Sequence, residues 1–152
     1  MIMTLNELLT KQNVITKIEL KDGNKELSKE LKVKIMRIRL AYNKVKKAFD
    51  EDLKEFVEQI ATDEYKTLAN KPERTEEEEK EFNELNNKVN SDYMEFVNQK
   101  GLEEVSENID DKLTEDDYAE VLEVNAGNNV NINGNEIKAA DLMEAFYELF
   151  VA

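Results

Sequence analysis

The chain has no cysteine, histidine or tryptophan, and only one proline and four glycines in 152 residues. Without Cys there is no disulfide framework, no thiolate nucleophile and no zinc–sulfur site. Without His the commonest general base and metal ligand is missing too. Gly23, Gly101, Gly127 and Gly134 stand apart from one another, so no Gly-rich loop cradles a phosphate. Ser28, Ser91 and Ser106 lie outside any Gly-x-Ser-x-Gly setting. No apolar run approaches the length that spans a bilayer, and the stretch from Met1 to Glu7 lacks the basic region of a secretory signal. These absences lead us to expect a soluble, non-enzymatic protein, intracellular (cytoplasmic) or particle-associated, with no catalytic residues, no cofactor and no metal.

Acids outnumber bases, 35 to 21, for a net charge of −14, yet 40% of residues are hydrophobic. That share is enough to build a core in a chain of this length. Thr4-Leu5-Asn6-Glu7 has the form of a capping box and predicts a short helix over 5–12. Lys17 to Lys21 alternates polar and apolar before Asp22-Gly23-Asn24, which predicts a strand or hairpin. Leu31, Ile35, Ile38, Tyr42, Val45, Phe49, Leu53, Phe56 and Ile60 then recur at steps of three and four. This is an apolar stripe on a helix of about eight turns, with Ser28 as its N-cap.

Pro72 biases Lys71 out of the α region, so the chain turns within 62–74. Thr75-Glu76-Glu77-Glu78 restarts a helix with a second capping box and acids at the positive end of the helix dipole. Its stripe is Phe82, Leu85, Val89, Tyr93 and Phe96 or Val97. Two long helices joined in this way should form an antiparallel hairpin over 28–100. Beyond Gly101, Leu102, Val105 and Ile109 suggest a short helix, and Thr114 caps another around Tyr118, Val121 and Leu122. Asn133-Gly134 predicts a tight hairpin with Val130 opposite Ile137, and a last helix carries Leu142, Phe146, Leu149 and Phe150. The segments beginning at Gly23 and Gly134 share a turn–strand–helix layout, which leaves open whether they pair in one small sheet. The expected architecture is a single domain, mainly α, in which 101–152 packs with 1–27 at the end of the hairpin.

Charge is segregated. Residues 29–47 hold eight cations, Lys29, Lys32, Lys34, Arg37, Arg39, Lys44, Lys46 and Lys47, against Glu30 alone. Neutralisation within the protein or between copies is the first expectation, and an acidic protein partner the second. A nucleic-acid backbone is disfavoured, because the whole molecule repels it and the stretch lacks interleaved aromatics. Asp110-Asp111 and Glu115-Asp116-Asp117 invite a calcium reading, but the segment lacks the glycine an EF-hand loop needs. Solvated acids around an N-cap at Thr114 account for them better.

The stretch Leu27 to Leu40, with the Glu-rich middle and the Val130–Leu142 hairpin and helix, resembles small proteins of tailed bacteriophages encoded among virion morphogenesis genes. The resemblance implies a virion structural protein or a head–tail or tail assembly factor. We therefore expect coiled-coil-like helix contacts with copies of this chain or with other virion proteins, and no membrane. The expected interaction face is Ile35, Ile38, Tyr42, Val45 and Phe49, flanked by Lys34, Arg37 and Arg39. The rival from another class is an acidic DNA mimic that blocks a nucleic-acid enzyme.

Overall fold

The computed structural model describes Met3–Ala152. The protein is mainly helical, with two small antiparallel hairpins. In chain order come α1 (Leu5–Ile15), β1 (Lys21–Asp22), β2 (Lys25–Glu26), α2 (Lys29–Ile60), α3 (Asp63–Asn70), α4 (Glu76–Leu102), α5 (Glu115–Asn125), β3 (Val130–Ile132), β4 (Asn135–Ile137) and α6 (Ala139–Phe150).

The chain divides into two compact units, and the boundary falls inside α2. The first comprises Met1–Val45 and Glu104–Ala152, and the second Lys46–Glu103; Met1 and Ile2 lie outside the described residues.

The first unit holds the hydrophobic core. Leu8, Ile15, Leu31, Ile35, Ile38, Tyr42, Val121 and Phe146 are among its fully enclosed side chains. α1 packs on α6, and α5 packs on α6 and on the β1–β2 hairpin. Its helix ends are capped from sequence as expected, with additions. Thr4 accepts from the Glu7 N–H at 3.2 Å, and α1 continues to Ile15, beyond the expected stop at 12. The Ser28 hydroxyl accepts from the Leu31 N–H. Thr114 and Asp117 form a reciprocal capping box at α5. α6 has no side-chain cap of its own, and Asn129 reaches across the hairpin to accept from the Ala139 N–H at 2.9 Å.

Each hairpin closes on itself, so the two segments form two separate small sheets and do not pair with each other. Val130 pairs with Ile137 as expected, and Asn133 and Gly134 both take positive φ, 51° and 81°, which the favoured two-residue turn requires. In the other hairpin only Gly23 has positive φ. Its strands are two residues each, too short to offer an edge to a neighbour. The helix expected around Leu102, Val105 and Ile109 is absent. There the backbone extends, with a bridge between Thr4 and Glu104 and the Val105 N–H donating to the Met3 carbonyl at 2.8 Å.

The second unit contains the latter part of α2, then α3 and α4. Lys100 lies 3.7 Å from Asp52, and the Phe56 and Phe96 rings stack at 4.2 Å. These contacts place the two long helices antiparallel. α3 fills part of the stretch read from sequence as a turn. Thr62 caps it, the Tyr65 ring stacks on Phe82 at 5.6 Å, and the Tyr65 hydroxyl donates to Asn86. Glu78 and Glu79 in the acidic first turn of α4 pair with Lys71 and Arg74 just before it. The Arg74 guanidinium also lies over the Phe82 ring at 4.1 Å. Among the described residues, Leu68 is the only buried large hydrophobic side chain in this unit.

Candidate protein-interaction surface

α2 presents two opposite faces in the first unit. The helical period of 100° per residue puts Leu31, Ile35, Ile38 and Tyr42 on one side, and all four are buried. The same period puts Val33, Met36, Arg37, Leu40 and Lys44 on the other. Val33 is 42% exposed, Met36 43% and Leu40 64%, at a spacing of three and four. An isolated exposed Leu is ordinary, but three large apolar side chains in one helical row form a patch. Arg37 and Lys44 flank it and line a hollow of about 290 Å³ with Ile38, Ala41 and the 107–110 segment. The Lys44 ammonium is 3.8 Å from Glu107, a long ion pair at the surface. Among the described residues Arg37 has no carboxylate partner at ion-pair distance.

The residues expected to form the interaction face have mixed positions. Ile35, Ile38 and Tyr42 are sealed in the core, which corrects their reading as a contact surface: burial against the first unit leaves no atoms for a partner. Val45 is half-buried against the same core. Phe49 is half-buried in the second unit. Lys34 bonds to Asp117 at 3.0 Å and clips α2 to the start of α5. Arg39 works at the end of α1. It donates to the Ile15 carbonyl from Nε and Nη2, at 3.2 and 2.9 Å, and to the Ile18 carbonyl at 2.5 Å. It thereby ties α2 to the end of α1 and the turn that follows, where the Ile15 carbonyl also accepts from the Ile18 N–H at 3.3 Å. Burial pushes its pKa down, against the pull of Glu19. Of the expected set, Arg37 alone is an exposed side chain beside the apolar row.

The basic stretch is therefore partly consumed within the fold. Lys32 pairs with Glu26, Lys34 with Asp117 and Lys46 with Asp50. Asp117 feels opposing influences. Burial pushes its carboxyl up, but bonds from the Thr114 N–H, Lys34 and the Thr114 hydroxyl outweigh that, and the net shift is downward.

A second open surface lies between α5 and α6. Its cavity of about 530 Å³ is lined by Tyr118, Leu122, Met143 and Tyr147, with Glu144 and Glu148 at its rim. The Tyr147 hydroxyl donates to Glu115 at 2.6 Å, and that contact raises its pKa. These two helices contain eight acids and no base.

Sequence reasoning missed two buried polar groups. Asp111, read as a solvated acid, accepts from Lys11 at 3.0 Å and from the Tyr42 hydroxyl. Both members of the Lys11–Asp111 pair are only 13% exposed. Burial first, then Asp111, drives the Tyr42 pKa upward. Asn125 is wholly buried. Its amide donates to the Glu19 and Val121 carbonyls and its oxygen accepts from the Glu19 N–H, while Asn128 donates to the Lys17 carbonyl. Together they tie the end of α5 to the chain that leaves α1. The Asp-Asp and Val-Asn-Ala contexts of these residues match ordinary surface and cap patterns, so no sequence signal marked them.

Among the described residues no group of His, Cys, Asp or Glu is arranged to hold a metal ion, and no helix is long and apolar enough to cross a membrane. No protein family matches the chain, and neither a curated protein nor a solved structure is similar to it.

Proposed function

We propose that this is a non-enzymatic structural or assembly protein that acts through helix-mediated contacts with other protein surfaces. The observation that carries the reading is the exposed row Val33, Met36 and Leu40 on α2, flanked by Arg37 and Lys44. A helix that seals one face in its own core while turning three large apolar side chains outward is suited to a second packing partner. The partner that fits is apolar at its centre and acidic at its rim. Apolar burial would supply affinity, and the cations would set orientation and rate of encounter. The resemblance to phage morphogenesis proteins supports a place in a virion or in its head–tail or tail assembly.

Zero-length carboxylate–amine cross-linking in the expressing cell tests this. Lys44 is expected to join to an acidic residue of another polypeptide chain, and Leu40→Glu is expected to abolish that product. Cross-links from Lys44 to Glu107 of its own chain alone, unchanged by Leu40→Glu, would overturn the reading.

A further inference from the structure

Resting on that reading, we infer that the acidic surface docking on the α2 face is the α5–α6 groove of a second copy of this chain. Both surfaces belong to the first unit, and both are open in one chain. Their chemistry is complementary. The face offers Val33, Met36 and Leu40 with Arg37 and Lys44 beside them; the groove offers Leu122 and Tyr147 with Glu144 and Glu148 beside them. A helix laid in a groove between two helices presents anchors at steps of three and four, which is the spacing of the exposed row.

Symmetric pairings are disfavoured by the same charges. Two α2 faces brought together would oppose Arg37 and Lys44 to their own copies, and two grooves would oppose Glu144 and Glu148 to theirs. The favoured contact is therefore head-to-tail, between unlike surfaces. Such a contact leaves one free face and one free groove at the ends of every open oligomer, so it grows until it closes into a ring or continues as a filament. That is the behaviour an assembly protein needs.

Two single variants separate the surfaces. Leu40→Glu breaks the face and keeps the groove; Leu122→Asn breaks the groove and keeps the face. Both side chains are well exposed in the free chain, 64% and 42%, so each variant should fold. The pairs Arg37→Gln with Lys44→Gln, and Glu144→Gln with Glu148→Gln, repeat the test on the charged rims. Light scattering at low salt, from about 1 to 100 μM, is expected to show the wild type growing beyond a dimer. Each variant alone should associate about a hundredfold more weakly. An equal mixture of the two should reach twice the mass of one 17.7 kDa chain and stop, because each supplies the half the other lacks. A wild type that stays monomeric throughout would overturn the inference. So would a mixture that forms no dimer while one variant alone still associates. A monomeric wild type whose Lys44 still cross-links to a different polypeptide would overturn this inference and leave the function proposed above intact.

Discussion

The two halves of α2 have the same apolar period and very different burial. From Leu31 to Tyr42 the inward residues are completely enclosed; from Phe49 to Ile60 the residues of the same stripe are only half-buried. The first half lies in a unit where α1, α5 and α6 also contribute to the core. The second half lies in a unit with only α3 and α4 beside it. Ring stacking replaces enclosure there: Phe56 on Phe96, Tyr65 on Phe82, and Arg74 over Phe82. A hydrophobic period therefore tells which face of a helix turns inward. How deeply that face is buried depends on how many other elements the chain brings to it.

This comparison makes predictions that can break it, and the largest concerns the first unit. Phe146→Ala empties the centre of its core and should cost about 3–5 kcal/mol, read as a lower denaturant midpoint. Asp111→Ala leaves the Lys11 ammonium and the Tyr42 hydroxyl without their shared acceptor. With both ionic partners mostly buried, the expected loss is about 3 kcal/mol by the same measurement. Phe56→Ala acts on the half-buried stripe. It should cost about 1–2 kcal/mol and speed amide exchange within 46–103 while the core amides of the first unit keep their protection. Equal losses for Phe146→Ala and Phe56→Ala would erase the distinction between the units.

Acid should weaken the first unit through Asp117. A carboxylate whose pKa is depressed by folding contributes stability that is present at neutral pH and is lost as pH falls through its folded value. The loss should therefore develop below about pH 4, the ordinary range for Asp. Lys34→Met removes one of the groups holding the pKa down, and should flatten the acid limb of a stability–pH curve. The smallest effect is expected in the second unit. Glu64 faces Glu81 and raises its pKa; Glu81→Lys turns that repulsion into attraction, with a slight rise in the local protection of α3 and α4 by hydrogen exchange.

The helical architecture was legible because its signals are local. Thr4, Ser28, Thr75 and Thr114 each cap the helix that their position predicts, and Asn133-Gly134 sets the register of Val130 against Ile137. What failed to show was decided by tertiary contact. The segment around Val105 carries helix-compatible spacing, but its N–H pairs with Met3 near the start of the chain. α3 was hidden because Pro72 drew the whole of 62–74 into one turn, although Thr62, Tyr65 and Leu68 carry its cap and its packed side. The interaction residues show the same limit. Periodicity correctly grouped Ile35, Ile38 and Tyr42, but the sequence does not reveal that other elements of the same chain already cover them. Val33, Met36 and Leu40 were passed over because they fall off the main stripe, and their importance emerges only once that stripe is known to be sealed.

The central claim is that α2 holds the fold with one face and a partner with the other. Leu40→Glu tests it most directly, with thermal melting and solution mass measured on the same sample. The account predicts stability within about 0.5 kcal/mol of the wild type together with loss of the wild type's association. A variant that associates as the wild type does, or a wild type with no association to lose and no Lys44 cross-link to any other chain, would contradict it.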